Sequence, residues 1–149
     1  MRKNLFIILT ILTGLIVSIN SCGGPRLGED LGTLWGKAMS DKAIQLTENT
    51  WTEGYINSDG EQWFKFTATA STQYIHASFD MQTNLCVEVY DSDGVRLTIS
   101  AEPPFTFFHL YSYSLSLKKG KGYFIKVSSF SGSGGTYKIA FNTSWKPPT

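Results

Sequence analysis

The sequence predicts an all-β fold, two packed antiparallel sheets of about seven to nine strands in all, preceded by a segment of different character. Three observations predict it. From Ala43 onward apolar and polar residues alternate with period two in short runs; Gly, Pro, Asn, Asp and Ser punctuate the runs; and no helical period persists. Half-apolar strands need a second layer to cover them, and two packed antiparallel sheets supply it.

The elements follow in chain order. Ala43 to Thr47 and Trp51 to Ile56 are the first strand candidates, and Asn57-Ser58-Asp59-Gly60 is a turn. Gln62 to Ala70 places Phe64, Phe66 and Ala68 on one face. Tyr74 to Asp80 does the same with Ile75, Ala77 and Phe79, and Leu85 to Tyr90 with Leu85, Val87 and Val89. Asp91-Ser92-Asp93-Gly94 reads as a tight hairpin turn, followed by a weaker strand over Val95 to Ser100 that ends at Glu102-Pro103-Pro104. Phe105, Phe107 and Phe108 form an apolar loop, either a plug over one end of the sandwich or a contact loop, with the plug favoured. Tyr111, Tyr113, Leu115 and Leu117 alternate with serines, Lys118 to Gly122 turns, and Tyr123, Ile125 and Val127 alternate again. Ser128 to Gly135 is a glycine-serine hairpin loop, and Tyr137, Ile139 and Phe141 close the series.

The chain starts differently. Arg2 and Lys3 precede an apolar run, Leu5 to Ile19, which at about fifteen residues is short for a spanning helix of roughly 20. Such a stretch is a targeting segment and not part of the fold. With Ile19, Asn20, Ser21 and Cys22 at the lipobox positions, it resembles a bacterial lipoprotein signal. That resemblance implies a signal peptide over 1–21, a lipidated Cys22 with a tether over 22–42, and a domain over 43–149. It also implies palmitate on Cys22, with stable membrane attachment once two or more chains are added. The expected location is the bacterial cell envelope, outside the cytoplasm, with the outer membrane favoured. An uncleaved anchor helix or an ordinary signal peptide are the alternatives, and both leave the domain outside the cytoplasm. A short helical turn or strand edge of the tether could dock on the domain.

Without residues 1–21 the thirteen basic side chains fall to eleven against twelve acidic ones, a net charge of −1. Such a chain has no field with which to seek nucleic acid. If Cys22 carries lipid, Cys86 has no partner; it is either a buried small apolar residue or an exposed thiol, and its outward parity favours the latter. His76, His109 and Cys86 lack zinc-site spacing, so no metal and no cofactor is assigned.

The order Gly54-Tyr55-Ile56, Gln62 to Phe66, Leu85 to Gly94, Gly122 to Val127 and Gly135 to Ile139 resembles the bacterial pre-peptidase C-terminal domain over roughly Ala43 to Asn142. The resemblance implies a jelly-roll sandwich of the kind appended to secreted peptidases, collagen-binding members included, and noncatalytic in itself. Calcium-binding members carry an acidic cluster near the domain's start. Here Glu29, Asp30 and Asp41 show no ligand order, and Asp91 with Asp93 reads as a turn.

The strand positions opposite the core set hold the candidate ligand-binding residues: Trp63, Tyr74, His76, Glu88, Tyr90 and Phe124. Gathered on one exposed face, their rings would stack on sugars or on an extended polypeptide. The competing reading is that the tether, the Pro103 to His109 loop or a curled edge covers them. A His76 dyad with Cys86 or Glu88 has weak support, and no enzyme is expected. The function expected from the sequence is a membrane-anchored lipoprotein whose sandwich binds carbohydrate or polypeptide at the envelope. The alternative is a structural or assembly partner of another envelope protein or secreted protease, engaged through the same face or an open sheet edge.

Overall fold

A computed structural model describes Gly36 and residues 38–80, 85–99, 110–129, 132 and 134–149. The expectations for the signal segment, Cys22 and the Phe105 loop fall outside these residues. Nine strands are described: β1 (Ile44–Gln45), β2 (Thr52–Ile56), β3 (Glu61–Thr67), β4 (Thr72–Phe79), β5 (Leu85–Asp91), β6 (Arg96–Ile99), β7 (Leu110–Ser116), β8 (Gly122–Ser129) and β9 (Gly135–Asn142). They form a five-stranded sheet ordered β1-β3-β8-β5-β6 and a four-stranded sheet ordered β2-β9-β4-β7. The all-β sandwich read from the alternation is the architecture observed.

Three features depart from the expected pattern. β1 pairs parallel with β3, Ile44 beside Phe64, while every other pair is antiparallel. The Ser128 to Gly135 segment closes no hairpin, because β8 and β9 lie in different sheets. The turns at Asn57 to Gly60 and Lys118 to Gly122 also carry the chain from one sheet to the other. Among the described turns only Asp91 to Gly94 makes a hairpin, its Asp91 carboxylate accepting the N–H groups of Asp93 and Val95 at 2.9 Å each. Gly94 there has φ +80°, a left-handed conformation that a side chain resists.

The core lies where the two inner faces meet. Phe64, Phe66, Val87, Val89, Ile125 and Val127 come from the five-stranded sheet, and Ile75, Ala77, Ile139 and Phe141 from the other. Ring contacts link the layers: Phe66 to Phe141 with centroids 4.7 Å apart, and Phe64 to Tyr137 edge-on at 6.0 Å. Burying aliphatic and aromatic side chains at roughly 1.5–3 kcal/mol each is the main favourable term in such a sandwich. The strand parity that sends these residues inward sends the candidate binding residues to the two outer faces.

Candidate functional site

The outer face of the five-stranded sheet is not open. Glu88 on β5 is fully buried, its Oε1 accepting from Arg96 Nη1 at 3.1 Å while Oε2 faces the Lys126 ammonium. The Oε2 contact is an ion contact without an aligned hydrogen bond. Lys126 lies over the Trp63 ring at 5.8 Å, and Trp63 packs on Tyr90 at 5.4 Å. Burial first, and then the neighbouring Glu88 carboxylate, push the Tyr90 phenol well above the ordinary tyrosine range. The arrangement is a carboxylate neutralised by two cations beneath aromatic rings.

Part of the cover is described. A short helix over 38–42 precedes β1; Lys65 Nζ reaches over to the Ser40 carbonyl at 2.7 Å. Gly36 sits so close to the β5–β6 turn that a Cβ there would lie 2.3 Å from the Ser92 carbonyl oxygen. The end of the expected tether is thus docked on the sheet.

Cys86 lies on this same buried face. Its outward parity is as expected, but it is 2% exposed and disulfide-bonded, which corrects the expectation of an unpartnered, exposed thiol. The other cysteine of the chain is Cys22, outside the described residues.

The four-stranded sheet presents a second polar centre on its outer face. His76 on β4 is fully buried, with Nδ1 2.7 Å from Ser112 Oγ on β7 and Nε2 3.0 Å from Asn142 Oδ1 on β9. Nε2 also lies 3.2 Å from the Ser144 carbonyl. Trp51 meets the imidazole edge-on, Tyr74 stacks beside it, and Trp51 Nε1 donates to the Pro148 carbonyl at 2.9 Å. The C-terminal residues therefore roof this half of the face.

The other half of the face is open. Glu53 and Lys138 form an exposed ion pair, Thr136 bonds Asp80, and Tyr55 on the edge strand β2 is 63% exposed. An open cleft of about 240 Å³ lies among Glu53, Ser78, Asp80, Thr136 and Lys138. Tyr137 also borders it, but the Tyr137 ring packs edge-on against Phe64 in the core, where burial raises the phenol above its ordinary range.

The six expected binding residues consequently do not form one patch. Trp63, Glu88, Tyr90 and Phe124 share the outer face of one sheet, and Tyr74 and His76 that of the other. Glu88, His76 and Phe124 are buried, and Trp63, Tyr74 and Tyr90 are half-buried. The reason is topological: parity says that a residue leaves the core but not which sheet it leaves from. For the same reason His76 meets neither Cys86 nor Glu88. The sequence reading passed over Ser112, Asn142 and Tyr55; cross-strand register joins the first two to His76, and no local pattern carries that register.

Among the described residues no group of His, Cys, Asp and Glu side chains is placed to hold a metal ion, and no helix is long and apolar enough to cross a membrane. No family model matches the chain, and no curated protein matches it. Solved structures do. The pre-peptidase C-terminal domain of a collagenase from Bacillus anthracis is similar with a TM-score of 0.53 and 17% identity, over 66% of this chain and 93% of that one. A periplasmic inhibitor of g-type lysozyme from Aeromonas hydrophila is similar with a TM-score of 0.47 and 10% identity, over 67% and 94%. The fold expected from the ordered strand motifs, that of a pre-peptidase C-terminal domain, is the fold this chain has.

Proposed function

We propose that the chain is a lipid-anchored bacterial envelope protein whose sandwich is a noncatalytic binding module for carbohydrate or polypeptide. The open half of the four-stranded sheet carries the proposal. There an exposed aromatic ring, Tyr55, is paired in register with Thr136 and shares a face with the Glu53–Lys138 ion pair, and these polar residues line a cleft. A flat ring for stacking with oriented donors and acceptors around it suits sugars and extended peptides. The basic start, apolar run and Cys22 support acylation and a place outside the cytoplasm.

Acylation and a disulfide compete for the same Cys22 sulfur, so a lipidated chain leaves Cys86 reduced. Intact mass of the native protein reads the difference: loss of residues 1–21 with two or three acyl groups supports the anchor, and an unmodified Cys22 removes it. For the binding face, glycan and collagen arrays probed with the detergent-solubilised protein test the ligand class. Tyr55→Ala is expected to lower binding at least about tenfold, a loss of roughly 1.4 kcal/mol, while Trp63→Ala leaves it unchanged. Loss with Trp63→Ala alone would move the site to the covered sheet.

A second reading, an assembly partner, has its own support. Among the described residues β7 ends the four-stranded sheet with no neighbour on its far side, and seven unbroken residues can template an added strand.

A further inference from the structure

We infer that Ser112 is an activated serine, a site of covalent acylation by ester-type acyl donors, with His76 as its base and Asn142 as the residue that positions the base. The inference stands apart from the binding role proposed above and uses a different part of the same sheet.

The proton inventory of the centre fixes its polarity. Asn142 Nδ2 donates to the Lys146 carbonyl at 2.9 Å, and its Oδ1 accepts from the Ser144 N–H at 2.9 Å, so the amide has one orientation. His76 Nε2 then faces two acceptors, Asn142 Oδ1 and the Ser144 carbonyl, and must carry the hydrogen. In the neutral ring Nδ1 is left as a bare lone pair, and the Ser112 hydroxyl at 2.7 Å donates to it. Nucleophile, base and orienting group are thus joined in series.

Accessibility favours reaction over mere packing. His76 is fully buried, held by hydrogen bonds at both nitrogens and by the Trp51 and Tyr74 rings, whereas Ser112 is exposed. Leu117 N–H bonds the Ser71 carbonyl five positions along, so the facing pair His76 and Ser112 is of the opposite, non-hydrogen-bonded kind. The Ser112 N–H therefore points to the outer side of β7, where no described strand pairs with it, available to a developing oxyanion. Leu110, exposed and two residues away on the same face, offers an apolar contact for the acyl group.

In the reaction Ser112 Oγ bonds to the acyl carbonyl carbon as its proton moves to His76 Nδ1. The resulting imidazolium is held by Asn142 Oδ1 and the Ser144 carbonyl. Collapse of the tetrahedral intermediate breaks the ester bond, His76 returns the proton to the leaving alcohol, and an O-acyl serine remains. No oxidant or metal enters.

The test is acetylation of the full chain by p-nitrophenyl acetate, followed by peptide mass mapping. Ser114 and Ser116 are exposed on the same strand and face, so they are internal controls. Ser112 is expected to acetylate on the order of 100-fold faster than either, the usual size of a general-base effect. His76→Gln and Asn142→Ala should bring it towards the rate of Ser114, and Ser112→Ala should abolish the fast phase. Equal rates for Ser112, Ser114 and Ser116 in the unaltered protein overturn the inference, whether or not the variants fold.

Discussion

Glu88 shows what a single residue commits the protein to. A carboxylate with no solvent contact is tolerated because Arg96 and Lys126 compensate it. Removing one member of such a buried set leaves the others uncompensated, at a typical cost of about 3–5 kcal/mol. Glu88→Ala is therefore expected to lower the urea midpoint strongly, and a midpoint within experimental error of the parent would show that the cations find water instead. Tyr90 beside it responds to alkali. Below about pH 10 both folded and unfolded phenols keep their proton. Above that the unfolded chain releases it while buried Tyr90 holds on, so the native state binds more protons and stability falls as pH rises. Urea midpoints measured from about pH 9 to 11.5 should decline, and Tyr90→Phe should flatten part of the decline, with Tyr137 contributing to the rest.

At the scale of elements, the meeting of β2 and β9 depends on one absent side chain. A Cβ on Gly54 would lie 2.3 Å from the Tyr137 hydroxyl and 2.5 Å from its ring. Gly54→Ala should therefore cost about 1–3 kcal/mol through overpacking. Joined to Tyr137→Leu, which vacates the space, it should cost much less than the sum of the two single changes, a coupling that a double-mutant cycle measures. The strands themselves were legible in the sequence. Phe64, Ile75, Val87, Ile125 and Ile139 announce their inward faces by alternation, and Asp91 to Gly94 announces its turn by composition. Pairing was not legible, because Ser112 and Asn142 reach His76 through registers set by residues far along the chain. The binding face suffered from the same gap: Trp63 and Tyr74 share a parity but stand on opposite sides of the molecule.

As a whole the molecule roofs much of both outer faces with its own ends. The helix over 38–42 lies on the five-stranded sheet, and the residues around Ser144 and Pro148 lie on the four-stranded one. Outward aromatic residues in a sandwich thus need not be ligand platforms; here Trp63, Tyr74, Tyr90 and Phe124 are half-buried or buried on the second side of a double-sided packing, while Tyr55 stands exposed. The interleaved connectivity has a further consequence. Thr52 pairs with Ile139, and Glu61 with Ser128, so β2 and β3 gain their antiparallel partners only when β9 and β8 have been made. A polypeptide threaded through a narrow pore from its N-terminus has nothing stable to knit in transit, and reaches the far side as a pliant thread that locks only on release.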